Sequence, residues 1–242
     1  MSEAFHSISA VKNVPLFIFG DHASKHIPTE YDNLGLSGDD LTRHIAWDIG
    51  TETIVRELCA YFGCGGQLAG VSRLVIDLNR ELDMSGLIPA ESDGTYIPKN
   101  ADLSVADRQN RIDRFYTPYH NALTAELDKV TRPFVLSVHS FTPQPLTGQA
   151  RATEIGLLVR HDEASAKAFQ SELECHPCAF NVGMNKPYSA YDLNHTVGFH
   201  LAPRGLRHLA IEIRQDLVDR DDKAAAMAVS YTHLTLPTIY SV

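Results

Sequence analysis

The chain has 242 residues, 44% of them hydrophobic and 21% charged, with a formal net charge of −9. That length and apolar fraction support one large α/β domain with a sizeable core, while the acidic balance argues against a nucleic-acid partner, whose phosphates call for a basic face. No apolar run approaches the ~20 residues that span a bilayer, and Met1 to Asn13 carries no basic stretch followed by an apolar one, so neither a membrane span nor a secretory signal is expected.

Val14 to Phe19 reads as a buried strand ending in Gly20-Asp21-His22, with a turn at Pro28. Asp39-Asp40 then precedes an apolar-periodic stretch from Leu41 to Phe62, in which Ile45, Ile49, Ile54, Leu58 and Tyr61 share a stripe. This predicts a helix with an acidic start, stopped by Gly63, Gly65 and Gly66. Gln67 to Leu78 reads largely as strand, and Asp83 to Asn100 as a long loop rich in Pro, Gly, Ser and Asp. Asp107 to Val130 has helical spacing, with a break or kink expected at Pro118. Strands are expected at Phe134 to His139, Thr153 to Arg160 and His208 to Ile213, a short helix at Glu163 to Leu173 and an irregular loop at Asn185 to Gly198. The alternation of strands and helices indicates a central sheet covered on both faces.

A final helix opens at Asp221, but the stretch from Ser230 to Val242 abandons its periodicity and resembles translated adaptor sequence. Residues 1–229 are therefore read as a single catalytic domain and 230–242 as a non-native tail. The cysteines are Cys59, Cys64, Cys175 and Cys178. Without a signal they are expected to be reduced, in a cytoplasmic protein. Cys175-His176-Pro177-Cys178 is a single CxxC, short of the ligands a structural zinc needs.

Chemistry gathers at the ends of the apolar runs. A catalytic zinc takes three protein ligands and leaves a position open. His22 and His139 each sit at a strand terminus, where α/β folds place their ligands. Asp48, in an otherwise apolar stretch, is the third candidate. His44, four residues earlier, is either a further ligand or an orienting partner. Glu212 lies within Leu209-Ala210-Ile211-Glu212-Ile213, and alternation sends it to the face opposite Ile211 and Ile213. There it suits a general base beside a metal, or else an ordinary ion pair with Arg214. Arg73 and Arg80, with Asn79 alongside, suit bidentate grip on a carboxylate; Arg151, Arg160 and Arg214 are further cations. Tyr96, Tyr188 and Tyr191 lie in loops able to line a pocket, and of these Tyr188 is assigned to the substrate.

The ordered set His22, Ile76-Asp77-Leu78-Asn79-Arg80, His139-Ser140 and Ile211-Glu212-Ile213-Arg214 resembles a stripped zinc carboxypeptidase pattern. It departs at Lys25, where that pattern has a glutamate ligand. The chain resembles the N-formylglutamate amidohydrolase family more closely, from Pro15 to Asp219. The resemblance lies in Asp21-His22-Ala23-Ser24, His44 to Gly50, Ser72 to Arg80, Ser137 to Pro143, Asn185 to Ser189 and Glu212 to Leu217. It implies a three-layer phosphorylase/hydrolase-like α/β fold with a mixed central sheet, and an aspartate ligand from the first long helix at the position of Asp48. It also implies zinc or another divalent metal on His22, Asp48 and His139, and cleavage of N-formylglutamate, a small acidic substrate. Two other readings stay open: a zinc amidase or peptidase acting on another N-acylated acidic compound, and a carboxylate-binding relative without chemistry.

Overall fold

The computed structural model describes residues 4–160, 162–175, 177–191 and 194–234. The strands among them are β1 (Phe5–Ile8), β2 (Leu16–Gly20), β3 (Gly65–Ala69), β4 (Glu91–Ser92), β5 (Thr95–Tyr96), β6 (Phe134–Phe141), β7 (Ile155–Leu158), β8 (Val182–Met184) and β9 (His208–Arg214). The α-helices are α1 (Thr51–Phe62), α2 (Pro98–Ala101), α3 (Val105–Arg111), α4 (Thr117–Leu127), α5 (Glu163–Cys175), α6 (His195–His200) and α7 (Asp221–Leu234).

Seven strands form one mixed sheet in the order β1-β3-β2-β6-β9-β7-β8. β3, β2, β6 and β9 run parallel, while β1 and β7 lie antiparallel to β3 and β9. Both faces are covered, which is why the inner strands read as continuous apolar runs. Alternation divides their side chains between two cores. Leu16, Ile18, Leu136, Val138 and Ile211 pack with Ile54 of α1, Phe169 of α5 and Tyr231 of α7. Phe17, Phe19 and Val135 pack on the other face with Phe115, Tyr119 and Leu123. The result is the three-layer α/β arrangement. Among the described residues no helix is long and apolar enough to cross a membrane.

The structure departs from the sequence reading in several places. The helix expected from Leu41 begins only at Thr51. Gly50 has φ +82°, and a Cβ there would lie 2.6 Å from the carbonyl oxygen of Val218, so conformation and space both demand glycine. Ahead of it the chain makes one 3-10 turn (Asp40–Thr42) and an irregular segment that buries Ile45 and Ala46. The apolar spacing recorded burial, not helix. Gly50→Ala is expected to cost about 1–3 kcal/mol of stability, seen as a lower denaturation midpoint; an unchanged midpoint would contradict the strain argument.

The strand expected over Gln67 to Leu78 ends at Ala69. Ser72 turns the chain away from the sheet, its hydroxyl donating to Ala46 O at 2.6 Å and accepting from Leu74 N at 3.1 Å. Leu74, Val75, Ile76 and Leu78 remain buried without strand partners. A short buried run reads the same either way. Near Pro118 there is no break. A π-helical turn (Ile112–Tyr116) joins α3 to α4, and Pro118 falls in the first turn of α4, where its missing N–H matters least. The 83–100 stretch is a loop that carries the β4–β5 hairpin and the start of α2. The expected loop at 185–198 gives way to α6 at His195. Finally, α7 runs on through Leu234, and Tyr231 is fully buried with its ring 5.7 Å from that of Phe169. Helical structure therefore persists past Ser230, where it was expected to stop; residues 235–242 lie outside those described.

Candidate active site

Three neighbouring parallel strands mount the site. β2 delivers Asp21 and His22 just past its end, β6 carries His139 and β9 carries Glu212. In the ladder His139 sits opposite Glu212, which on its other side faces Gly156 of β7. Ile211 and Ile213 point into the first core, so Glu212 takes the opposite face. Gly156 must be small: a Cβ there would meet Lys186 O at 1.9 Å, and this close approach seats the 185–188 segment bearing Tyr188 beside Glu212. Asp48 comes from the irregular segment before α1, not from a helix. Its N–H donates to His22 O at 2.9 Å, and Ser140 Oγ donates to Ile49 O at 2.8 Å, so the segment hangs from the ends of β2 and β6.

These ties bring His22, Asp48 and His139 together. All three are buried, and one donor atom from each lies within 4.8 Å of the others. Asp48 Oδ2 is 2.9 Å from His139 Nδ1 and 3.4 Å from His22 Nδ1. The far ring nitrogens meet two further carboxylates: His22 Nε2 is 2.7 Å from Asp77 Oδ1, and His139 Nε2 is 3.6 Å from Asp21 Oδ2. Carboxylate–imidazole pairs of this kind orient metal-bound histidines and raise their basicity.

The donor set fits a divalent cation. Two imidazoles and a carboxylate suit zinc, and three buried carboxylates around them favour a positive charge at their centre. Asp21 Oδ2 and His139 Nε2 are shielded from solvent and without a hydrogen-bond partner, the pair expected to close once Nδ1 serves a cation. Burial acts to lower both imidazole pKa values. The surrounding carboxylates outweigh it and hold them above the ordinary histidine value. Burial likewise opposes ionisation of Asp48, yet the His22 charge and hydrogen bonds from both imidazoles keep it well below the usual carboxylate range.

Every residue assigned from sequence lines one cavity of about 130 Å³: His22, Asp48 and His139, with Glu212, Arg73, Asn79, Arg80 and Tyr188. Their situations differ. Arg73 is already engaged, donating to Asp48 Oδ1 at 3.2 Å and to Asp77 Oδ2 at 2.8 Å. Arg80 stands 3.7 Å from Asp77 and keeps more of its guanidinium for a ligand. Asn79 Oδ1 accepts from Thr196 N at 2.9 Å, which fixes its side chain at the cavity edge. The Tyr188 ring lies under the Arg151 guanidinium, 4.9 Å away. Burial is the main cause that pushes the Glu212 carboxyl up to about 7, and the Asp48 charge adds to it. Such a group exchanges protons readily near neutral pH.

Other candidates lie elsewhere. His44 does not join His22, Asp48 and His139; its Nε2 is 3.1 Å from Asp93 Oδ2. Arg214 turns to Asp216 at 2.8 Å and Glu154 at 3.4 Å, not to Glu212. Tyr96 is exposed on the hairpin, and Arg160 and Tyr191 line a second cavity. His176 and the Cys175 side chain fall outside the described residues. Asp21 and Asp77, each inside a quoted motif, received no role in the sequence reading. The signal was present: both are acids embedded in apolar runs next to histidine or arginine, where an unpaired charge is costly.

Residues 14–218 match the N-formylglutamate amidohydrolase family. A gene product of Agrobacterium tumefaciens of known structure is 33% identical, covering 99% of this chain and 96% of that one, with a TM-score of 0.90. An N-formylglutamate amidohydrolase from Ralstonia eutropha shares the fold at 22% identity, with a TM-score of 0.74 over 100% of this chain and 98% of the other. No curated protein matches the chain. The extent of the family match, over nearly all the elements that build the cavity, establishes that the chain belongs to the N-formylglutamate amidohydrolase family.

Proposed function

We propose that this amidohydrolase is zinc-dependent and cleaves the formyl amide of N-formyl-L-glutamate, releasing formate and L-glutamate. The observation that carries the reading is the placement of Glu212 in one buried cavity with the His22, Asp48 and His139 donors. His22, Asp48 and His139 would hold the divalent cation, which would supply Lewis acidity toward the amide carbonyl and water.

The protein does the rest. Glu212 takes a proton from the attacking water and returns it to the departing nitrogen, so the amine leaves neutral. Its strand position opposite His139 sets it beside the metal donors. Asp77 and Asp21 hold the rings of His22 and His139. Arg73 bridges Asp48 and Asp77, fixing both carboxylates while presenting positive charge to the cavity. Arg80 grips a substrate carboxylate, with Asn79 and Tyr188 flanking it. The partner is thus a small acidic molecule. A cytoplasmic setting accompanies this reading, supported by the buried free thiols of Cys59 and Cys64.

Elemental analysis of the purified protein, paired with formate release from N-formyl-L-glutamate, tests the proposal. One zinc per chain and activity suppressed by chelator are expected. Full turnover by metal-free protein in chelator would overturn it.

A further inference from the structure

The cavity holding the metal donors is small. Its volume of about 130 Å³ falls below the roughly 300–1,000 Å³ usual for a ligand site. Asn79 and Arg80, at its edge, also line a neighbouring chamber of about 640 Å³. That chamber alone has the usual size.

The second chamber has a distinct character. Leu82, Met84, Tyr191 and Phe199 line it, and each is at least 40% exposed. These are four of the ten large hydrophobic side chains exposed among the described residues, gathered on one hollow. Among its described lining residues the formal charges of Arg80 and Arg160 balance those of Glu81 and Asp83, beside the polar Asn79, Asn194 and His195. Such a hollow offers apolar surface to a neutral side chain beside its polar rim. The boundary residue Arg80 is held by Tyr116, whose hydroxyl donates to Arg80 O at 2.9 Å.

We propose that the chamber receives the side chain of an N-formyl amino acid whose carboxylate rests on Arg80, so that N-formylated aromatic and large aliphatic amino acids are a second substrate class. This rests on the amidohydrolase reading above. The inner cavity limits the acyl group to one as small as formyl, and whatever extends beyond the Arg80 carboxylate site enters the chamber. In the reaction water adds to the formyl carbon, the C–N bond breaks, formate leaves and the amine takes the proton. N-formyl-L-phenylalanine would yield formate and phenylalanine.

Calorimetric binding to Glu212→Gln protein, which is slow to turn over, separates the possibilities. Phe199→Ala and Leu82→Ala, each added to that background, are expected to weaken N-formyl-L-phenylalanine about tenfold. N-formyl-L-glutamate, whose side chain ends in a carboxylate, is expected to change less than about twofold. Both replaced side chains are about half exposed, so folding tolerates their loss. Equal weakening of both ligands, or no binding of the aromatic compound before replacement, overturns the proposal. If the aromatic compound binds with this chamber dependence but the zinc-loaded, unsubstituted protein cleaves neither amide, the chamber assignment stands and the hydrolase reading falls. Cleavage of N-formyl-L-glutamate without binding of the aromatic compound has the opposite meaning.

Discussion

Glu212→Gln is expected to keep its metal ion and lose about 10²–10⁴-fold in kcat, the range that a positioned acid–base group supplies. The substitution preserves shape and removes the proton carrier. Glu212 lies on β9, flanked by His139 and Gly156 in the ladder, and the nearby cavity residues Asp48, Arg73 and His139 have their own partners. No other carboxylate of the cavity is placed to substitute: Asp48 is held by two imidazoles and Arg73, and Asp77 by His22 and Arg73. Metal analysis and formate-release kinetics on the same preparation provide the check. Turnover within a few-fold of the unsubstituted protein would remove Glu212 from its role.

Asp48→Asn is expected to abolish activity through the metal. Loss of a partner behind a ligand typically weakens metal binding about 10–100-fold, and replacing the central carboxylate, which approaches both imidazoles, should exceed that. The amide keeps the volume, so Ile49, Gly50 and the start of α1 stay in place. Chelator competition would measure the affinity, and circular dichroism the fold. Asp77→Asn is the useful contrast. It leaves all three donors and disturbs only the orientation of His22, so its loss should stay within the 10–100-fold range. An Asp48→Asn protein that retains zinc as tightly as its parent would eliminate the three-donor site.

The sequence made the strands at Leu16–Gly20, Phe134–Phe141 and His208–Arg214 legible because each is a compact apolar run closed by polar residues. Those strands carry or immediately precede His22, His139 and Glu212, so the heart of the site was legible with them. Asp48 was identified correctly as a neighbour of the histidines but on the wrong local structure. Ile45, Ile49 and Ile54 mimic a helical stripe, and only the left-handed φ at Gly50, enforced by Val218 far along the chain, breaks it. The same limitation hid the turn at Ser72, whose hydrogen bond to Ala46 O is a tertiary contact. Asp21 and Asp77 escaped because their value lies in which ring nitrogen they face, a relation between segments 55 residues apart for His22 and Asp77. The outer chamber escaped for a similar reason: Leu82, Tyr116 and Phe199 meet only after folding.

His139 and Glu212 sit opposite one another on next-door strands, and the backbone ladder spaces such strands about 4.8 Å apart. That interval belongs to the main chain, so no surface loop can widen or narrow it. Arg80 and Tyr188, by contrast, stand on connecting segments outside the ladder. This architecture is therefore free to exchange one acyl amino acid for another by altering those segments, while the interval between His139 and Glu212 stays unchanged.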